Sequence, residues 1–125
     1  AAYENLLATS KMSINLNRKE GDKWYSSDRI AHLMGSGILT FLNDQNRLQD
    51  FFTDRQAVFF KDEADLRDKI LYYHAHDSER AAIAHAGRER YHALFNGARV
   101  LRFMLEAMFG KSYSQPYEWA AEVYR

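Results

Sequence analysis

The 125-residue sequence predicts an α/β fold with a small parallel sheet in its first half and a helix-rich C-terminal half. Three runs with the composition of strands, at residues 12–17, 38–42 and 57–60, alternate with segments of helical apolar spacing. Strands separated by helices need crossover connections, which favour parallel pairing and a sheet covered on both faces. From Asp62 onward the apolar residues follow helical spacing. We therefore expect a Rossmann-like three-layer domain.

The first predicted strand follows a short helix that contains Tyr3, Leu6 and Leu7. Apolar and polar residues alternate along positions 12–17, which is typical of a strand with one buried face. The apolar members of this run are predicted to face the core, and they are Met12, Ile14 and Leu16. The polar members, Ser13, Asn15 and Asn17, are predicted to lie on the other face.

A second helix is predicted after a polar loop at residues 18–27, because Ser26, Ser27 and Asp28 are residue types that cap helix N-termini. Its apolar face consists of Ile30, Leu33 and Met34. The second and third strands are predicted to be joined by a polar loop and a short helix, at residues 43–46 and 47–52.

Three longer helices are predicted after the sheet. Asp62 suits the start of the first and Asp77 or Ser78 the start of the second. A break at Asn96-Gly97 precedes the third helix, which Gly110 is expected to end. The third helix carries an apolar stripe that we expect to be core or a covered interface, formed by Met104, Leu105 and Met108. Pro116 is predicted to begin a final helix that runs through Trp119 and Val123.

The Gly35-Ser36-Gly37 sequence suggests a nucleotide-binding loop at first sight. Dinucleotide-binding glycines, however, follow a strand and precede a helix, so that the backbone can approach a pyrophosphate at the helix N-terminus. Here the order is reversed, because the glycines follow a helix and precede a strand. We therefore predict that Gly37 caps a helix C-terminus and binds no phosphate.

The composition excludes several classes of partner and site. Lysine plus arginine and aspartate plus glutamate both total 17, so no basic field exists to attract a nucleic acid. The chain has no cysteine, and its histidines lack the spacing of zinc ligands, so no metal site is predicted. No apolar run is long enough for a transmembrane segment, and we expect a cytoplasmic location.

A ligand is expected where the parallel strands end, at residues 17–28, 43–47 and 61–63. The richest of these segments contains Asn17, Arg18, Ser26, Ser27 and Asp28 and is followed directly by Arg29, and the next segment contributes Asn43 and Asp44. Arg29 stands in the first turn of a helix, where a cation is unfavourable unless it faces an anion. The alternative is a solvated loop in which Arg29 pairs with Asp28 or Glu20.

Long stretches of the chain resemble the C-terminal, donor-binding half of CgeB-like (group 1 type) glycosyltransferases of GT-B architecture. The resemblance is carried, in unbroken order, by "SINLNR", "DRIAHLMGSGILTFLNDQNRLQDFF" and "AVFFKDEADLRDKILYYHAHDSERAAIAHAGRERYHALFNGARVLRFML". It implies that residues 1–125 are a single domain that binds a nucleotide-diphosphate sugar as donor substrate, without a further cofactor. It also implies an N-terminal half of the same protein that binds the acceptor.

The resemblance carries two residues of the second helix over to this chain. Arg29 matches an arginine at the start of the family's corresponding helix, while His32 stands where the family has a glutamate that binds the donor ribose. A neutral imidazole accepts one hydrogen bond and cannot make the charged bidentate contact of a carboxylate. A catalytically inactive interaction module of the same fold is therefore the alternative function. A receiver-like signalling domain would need an acidic cluster at the strand ends, and Asp44 and Asp62 are too scattered to provide one.

Overall fold

The computed structural model describes residues 2–17 and 21–123. Within them the helices are α1 (Ala2–Thr9), α2 (Asp28–Gly35), α3 (Glu63–Ala75), α4 (Asp77–Phe95) and α5 (Gly97–Met108). The strands are β1 (Met12–Asn15), β2 (Leu39–Asn43) and β3 (Val58–Phe60), and short 3-10 turns occur at Asp44–Asn46, Leu48–Asp50 and Ala120–Glu122. This alternation of strands and helices, followed by a helical second half, confirms the predicted α/β class.

The three strands form one parallel sheet in the order β1-β2-β3. Met12 of β1 lies opposite Leu39 of β2, and Phe41 of β2 lies opposite Val58 of β3. Because all three strands run in the same direction, their carboxyl ends meet at one edge of the sheet. This edge is where an open α/β sheet binds ligands.

The central strand β2 is buried on both faces. On one face Leu39 and Phe41 pack in an apolar cluster with residues of β3 and α4, namely Val58, Phe60, Ile83 and Ala84. Thr40 and Leu42 alternate with them and are also buried, at 2% and 0% exposure. Helix α2 contacts β1 and β2 and buries its predicted apolar face of Ile30, Leu33 and Met34.

Gly37 ends helix α2 in the way the sequence predicts. Its φ of +77° lies in the left-handed region, and its N–H donates to the carbonyl of Met34 at 3.0 Å. The N–H of Ile38 donates to the carbonyl of Leu33, also at 3.0 Å, which completes a Schellman cap. The buried side chains of Leu33 and Ile38 supply the apolar pair that accompanies such a cap. The two glycines are therefore the end of a helix.

The chain divides into two compact units, with the boundary between His92 and Ala93. The first contains the sheet. In the second, Arg99 of α5 binds the segment that follows the helix: its guanidinium donates to the carbonyl of Pro116 at 2.7 Å and to Glu118 Oε2 at 2.8 Å. The same group lies over the rings of Tyr117 and Trp119, at 5.1 and 4.9 Å from their centroids.

The predicted final helix from Pro116 to Val123 is wrong, since only the short 3-10 turn forms there. In an α-helix the carbonyl of Pro116 would accept from the N–H of Ala120. Arg99 binds that carbonyl instead, and the N–H of Ala120 donates to the carbonyl of Tyr117 at 3.0 Å. A tertiary contact therefore replaces the helical bond that the local sequence favours.

The predicted burial along the first strand is wrong at its end. The strand stops at Asn15, which is 1% exposed, whereas Leu16 is 63% exposed. Side chains alternate between the two faces only inside a strand. Leu16 follows the last strand residue, so the alternation does not determine its burial.

In the ranges 2–17 and 21–123, none of the helices has both the length and the apolar character that crossing a bilayer requires. The assignment of residues 1–125 to one donor-binding domain of a longer protein stays a prediction.

Candidate functional site

A pocket of about 360 Å³ lies at the edge where the three strands end. Its lining includes residues at or just after the end of each strand, as expected for ligand sites in open α/β sheets. The polar and charged residues that line it are Asn15, Asn17, Asn43, Gln45, Asn46, Lys61, Asp62 and Glu63. Five of its eleven lining residues therefore carry amide side chains, and Leu16, Phe60 and Leu66 supply the apolar part of the lining.

Three of these amides form a chain of hydrogen bonds with one direction. Asn15 Nδ2 donates to Asn17 Oδ1 at 3.2 Å, and Asn17 Nδ2 donates to Asn46 Oδ1 at 2.8 Å. Asn46 Nδ2 donates to the backbone carbonyl of Asp22 at 2.9 Å. A carbonyl can only accept, so the last bond fixes the orientation of all three amides. Asn15 Oδ1 is left at the head of the chain, buried and without a partner among the described residues.

Asn46 also fixes the loop that precedes α2. Its side chain is fully buried, and its backbone carbonyl accepts the N–H of Trp24 at 2.8 Å. Trp24 adopts a φ of +60° and donates from Nε1 to Asp50 Oδ2 at 2.9 Å. This hydrogen bond is the main reason that the pKa of the Asp50 carboxyl lies below its ordinary value. Strand β2 and its following turns thereby hold the loop leading into α2.

The β3 side of the pocket carries one cation and two carboxylates, on Lys61, Asp62 and Glu63. Asp62 is the predicted cap of α3, and its Oδ1 accepts the N–H of Asp65 at 2.8 Å. Asp65 in turn accepts the N–H of Lys61 at 3.1 Å and the ammonium of Lys69 at 2.9 Å. The bond from Lys69 is the largest cause of a lowered pKa at Asp65. These bonds fix the backbone of the segment as it passes the pocket.

The start of α2 lies beside this pocket. Arg29 Nη1 donates to the carbonyl of Leu16 at 3.1 Å, and Leu16 lines the pocket. Arg29 is exposed and forms no ion pair with any described residue, so the predicted alternative pairing with Asp28 is not present. Ser27 is the N-cap residue of α2 by backbone geometry, but its hydroxyl makes no capping bond and is buried without a partner among the described residues.

The other predicted site residues are distributed unevenly. Asn17 and Asn43 line the pocket, and Asn43 Oδ1 accepts the N–H of Gln45 at 2.8 Å. Ser26 and Asp28 are exposed in the first turn of α2 or just before it, and Asp44 begins a 3-10 turn without lining the pocket. Arg18 and the alternative partner Glu20 lie outside the described residues.

His32 faces a different groove. This groove lies at the amino ends of β1 and β2, where its lining includes Lys11 and Ile38. The His32 ring makes an edge contact with Tyr3 of α1, at 5.7 Å between centroids. The structure therefore does not bring His32 to the pocket that contains Asn17 and Asn43.

Sequence reasoning missed Asn15 and did not select Gln45 or Asn46 from the segment 43–47. The strand pattern placed Asn15 on the less buried face, although a parallel sheet is covered on both faces. A polar residue at the last position of such a strand is the signal that could have identified it, because it is buried at the ligand edge. In the part of the chain that the structure describes, no three histidines, aspartates or glutamates come together as metal ligands.

A family model described as glycosyl transferase-like matches residues 1–106. No curated protein and no solved structure matches the chain. The matched residues include all three strands and therefore the whole strand-end pocket. Since the match covers far more than half of the sequence, the chain belongs to the glycosyl transferase-like family.

Proposed function

We propose that this chain binds the nucleotide-sugar donor of a CgeB-like glycosyltransferase of GT-B architecture, and that an acceptor-binding half of the same protein completes the enzyme. The observation that carries the proposal is the polar pocket at the carboxyl ends of three parallel strands, within the residues that match the family. Open α/β sheets bind their ligands at this edge. The proposed location is the cytoplasm.

The start of α2 is the proposed contact for the donor diphosphate. The free N–H groups of a helix N-terminus and a nearby guanidinium both favour an anion. Arg29 uses Nη1 to bind the carbonyl of Leu16, which orients the guanidinium beside the pocket and leaves other N–H donors for a ligand. During transfer these groups would stabilise the negative charge of the departing diphosphate.

The proposed donor site therefore contains Arg29 and Ser27 at the helix start, with Asn17 and Asn43 at the strand ends. His32 is left out because it lines the groove at the opposite ends of the strands. Under this proposal, the histidine in place of the family glutamate does not remove a contact from the strand-end pocket.

An NMR titration of the chain with UDP, GDP and their glucose and mannose conjugates tests the proposal. We expect amide shifts at the strand ends and at the start of α2, and Arg29→Ala should weaken diphosphate binding by about 1.5–3 kcal/mol, the value of a hydrogen bond to a charged group. Uridine should bind with equal affinity to the wild type and to Arg29→Ala because it lacks the diphosphate. The matched control is Arg67→Ala, since Arg67 is an exposed helical arginine that pairs with the adjacent Asp68.

Two results would contradict this assignment in different ways. If Arg29→Ala lost equal affinity for uridine and for UDP, Arg29 would lie away from the phosphates. The absence of shifts at millimolar concentrations of every nucleotide would favour the alternative function, an interaction module without catalysis.

A further inference from the structure

We infer that the strand-end pocket receives a neutral, hydroxyl-bearing group, and that Asn15 Oδ1 accepts a hydrogen bond from one of its hydroxyls. The inference rests on the proposed function in taking this pocket as part of a sugar-donor site. It goes further by separating the ligand into two parts. The start of α2 contacts the diphosphate, and the amide-lined pocket contacts a polyol such as the sugar ring.

The first argument is the direction of the amide chain. Asn15, Asn17 and Asn46 each donate toward the carbonyl of Asp22, and this carbonyl cannot donate in return. Reversing the amide of Asn15 would set two oxygen atoms against each other at Asn17. The unpaired atom is therefore an acceptor, and its complement on a ligand must be an O–H or N–H group.

The second argument is the cost of leaving this acceptor unpaired. Asn15 is 1% exposed, and its Oδ1 has almost no surface that water can reach. A buried polar atom without a partner is unfavourable, whereas a ligand donor would recover that loss on binding. The same arrangement discriminates strongly, since an analogue without the hydroxyl leaves the acceptor unpaired in the complex.

The third argument is the charge around the pocket. Lys61 is its one lining cation among the described residues, against the carboxylates of Asp62 and Glu63. A phosphoryl group offers only acceptors and negative charge, so it would face two carboxylates and an amide oxygen. A hydroxyl both donates and accepts, which suits carboxylates and amides alike. The chemistry of the lining therefore favours a polyol over a phosphate.

The inference requires that a hydroxyl can reach Asn15 Oδ1 from the pocket that Asn15 lines. Leu16 is 63% exposed and Lys61 is also exposed, and both line the same pocket as Asn15. Exposed side chains change rotamer readily, so part of the pocket lining is free to adjust to a ligand.

The first experiment follows the side-chain amide resonances of Asn15 and Asn17 by NMR. The probes are the methyl glycosides of glucose, galactose and mannose, the nucleotide sugars used above, and pyrophosphate. We expect at least one hydroxyl-bearing probe to shift both amides, and pyrophosphate to leave them unchanged. If pyrophosphate shifts them, or if no glycoside or nucleotide sugar does so at its highest soluble concentration, the inference is wrong.

The second experiment identifies the hydroxyl in the unaltered chain. Monodeoxy derivatives of the binding probe are compared with the parent compound, and one of them should bind about tenfold more weakly because it leaves the acceptor unpaired. In Asn15→Leu the parent and that derivative should bind within about twofold of each other, because the acceptor is gone from both complexes. A uniform response to every deoxy derivative in the unaltered chain would overturn the role of Asn15.

Thr40→Val is the matched control for the loss of a buried polar side chain. Thr40 is 2% exposed on the neighbouring strand, its hydroxyl donates to the carbonyl of Ile38 at 3.0 Å, and it does not line the pocket. Thr40→Val should keep the discrimination against the deoxy derivative.

If nucleotides fail to bind while a glycoside shifts Asn15, the proposed function fails and this inference stands. If nucleotides shift only the start of α2 and no sugar reaches Asn15, this inference fails and the proposed function stands.

Discussion

Gly37 is the residue for which the backbone conformation decides between a phosphate loop and a helix cap. With φ at +77°, any L-amino acid other than glycine is strained there. An added Cβ would meet Arg88 Cδ at 3.4 Å, an ordinary contact, so the strain lies in the backbone. Gly37→Val should therefore lower the free energy of unfolding by about 1–2 kcal/mol, measured by chemical denaturation.

Gly35→Ala is the control for Gly37→Val. Gly35 is the last residue of α2, and an added Cβ there would come no closer than 3.9 Å to His92. Stability should stay unchanged or rise slightly, because alanine favours the helix. A Gly37→Val protein that kept its stability but lost nucleotide binding would restore the phosphate-loop interpretation.

At the residue scale, sequence reasoning found the helix caps better than the pocket. Asp62 and Gly37 act within a few residues of themselves, so the local sequence was sufficient to predict their roles. Asn15 belongs to a network with a long-range bond: it donates to Asn17, and Asn17 donates to Asn46, which lies 29 residues further along the chain. Such a network depends on how the strands are aligned, which no local pattern contains.

Among the elements, α4 packs closely against the segment before β3 at Gly87. A Cβ at this position would overlap the backbone carbonyl of Gln56, in the segment before β3, and would lie 3.3 Å from Met34 Cε. A backbone atom cannot move aside as a flexible side chain can. Gly87→Ala should therefore cost about 1–3 kcal/mol despite the better helix propensity of alanine, as measured by denaturation.

Gly97→Ala separates this packing effect from helix propensity. Gly97 is the first residue of α5, and an added Cβ there meets open space. The stability of Gly97→Ala should equal or slightly exceed that of the wild type. If Gly87→Ala is also neutral, α4 and the Gln56 segment are farther apart than the structure places them.

The local sequence predicted some of the helices correctly and one of them wrongly. Helix α3 begins after the predicted capping residue Asp62, and α5 begins at the predicted break, where Asn96 is the cap; both side chains accept N–H groups three residues later. No α-helix forms after Pro116, where Arg99, 17 residues earlier, binds the carbonyl that an α-helix would use. Where a distant side chain competes for a backbone group, propensity alone is insufficient.

At the scale of the whole molecule, the class of fold could be predicted because it follows from the order of strand and helix patterns. The parallel pairing followed from the crossover connections, and all three strands were located within two residues of their ends. The fold also predicted the edge at which a pocket forms. The lining of that pocket required the structure, since it combines residues from three separate segments.

We expect acid sensitivity from three aspartates that accept hydrogen bonds in the folded chain. Asp77 Oδ1 accepts Arg80 Nε at 3.0 Å and Lys11 Nζ at 3.1 Å, which connects the start of α4 to the residue before β1. The hydrogen bond from Arg80 is the main cause of a lowered pKa at Asp77, and Asp50 and Asp65 also have lowered pKa values. All three are therefore charged more readily in the folded chain than in the unfolded one.

The sign of the pH dependence follows from these lowered pKa values. A carboxyl whose folded pKa is depressed contributes its full stability above its unfolded pKa, about 3.9 for aspartate, and loses it as the pH falls through the folded value. Melting temperature should thus be insensitive to these groups between about pH 5 and 7 and should fall below about pH 4. Circular dichroism melts across this range measure it directly.

Asp77→Asn tests whether the Asp77 carboxylate contributes to the loss of stability at low pH. The variant should melt below the wild type at neutral pH, because both cations lose their partner, and the two curves should converge as the wild-type carboxyl becomes protonated. Asp68→Asn is the matched control: this exposed carboxylate pairs with the adjacent Arg67, so it joins no distant segments, and its curve should run parallel to that of the wild type. A parallel curve for Asp77→Asn would mean that its bridge to Lys11 and Arg80 contributes nothing to acid sensitivity.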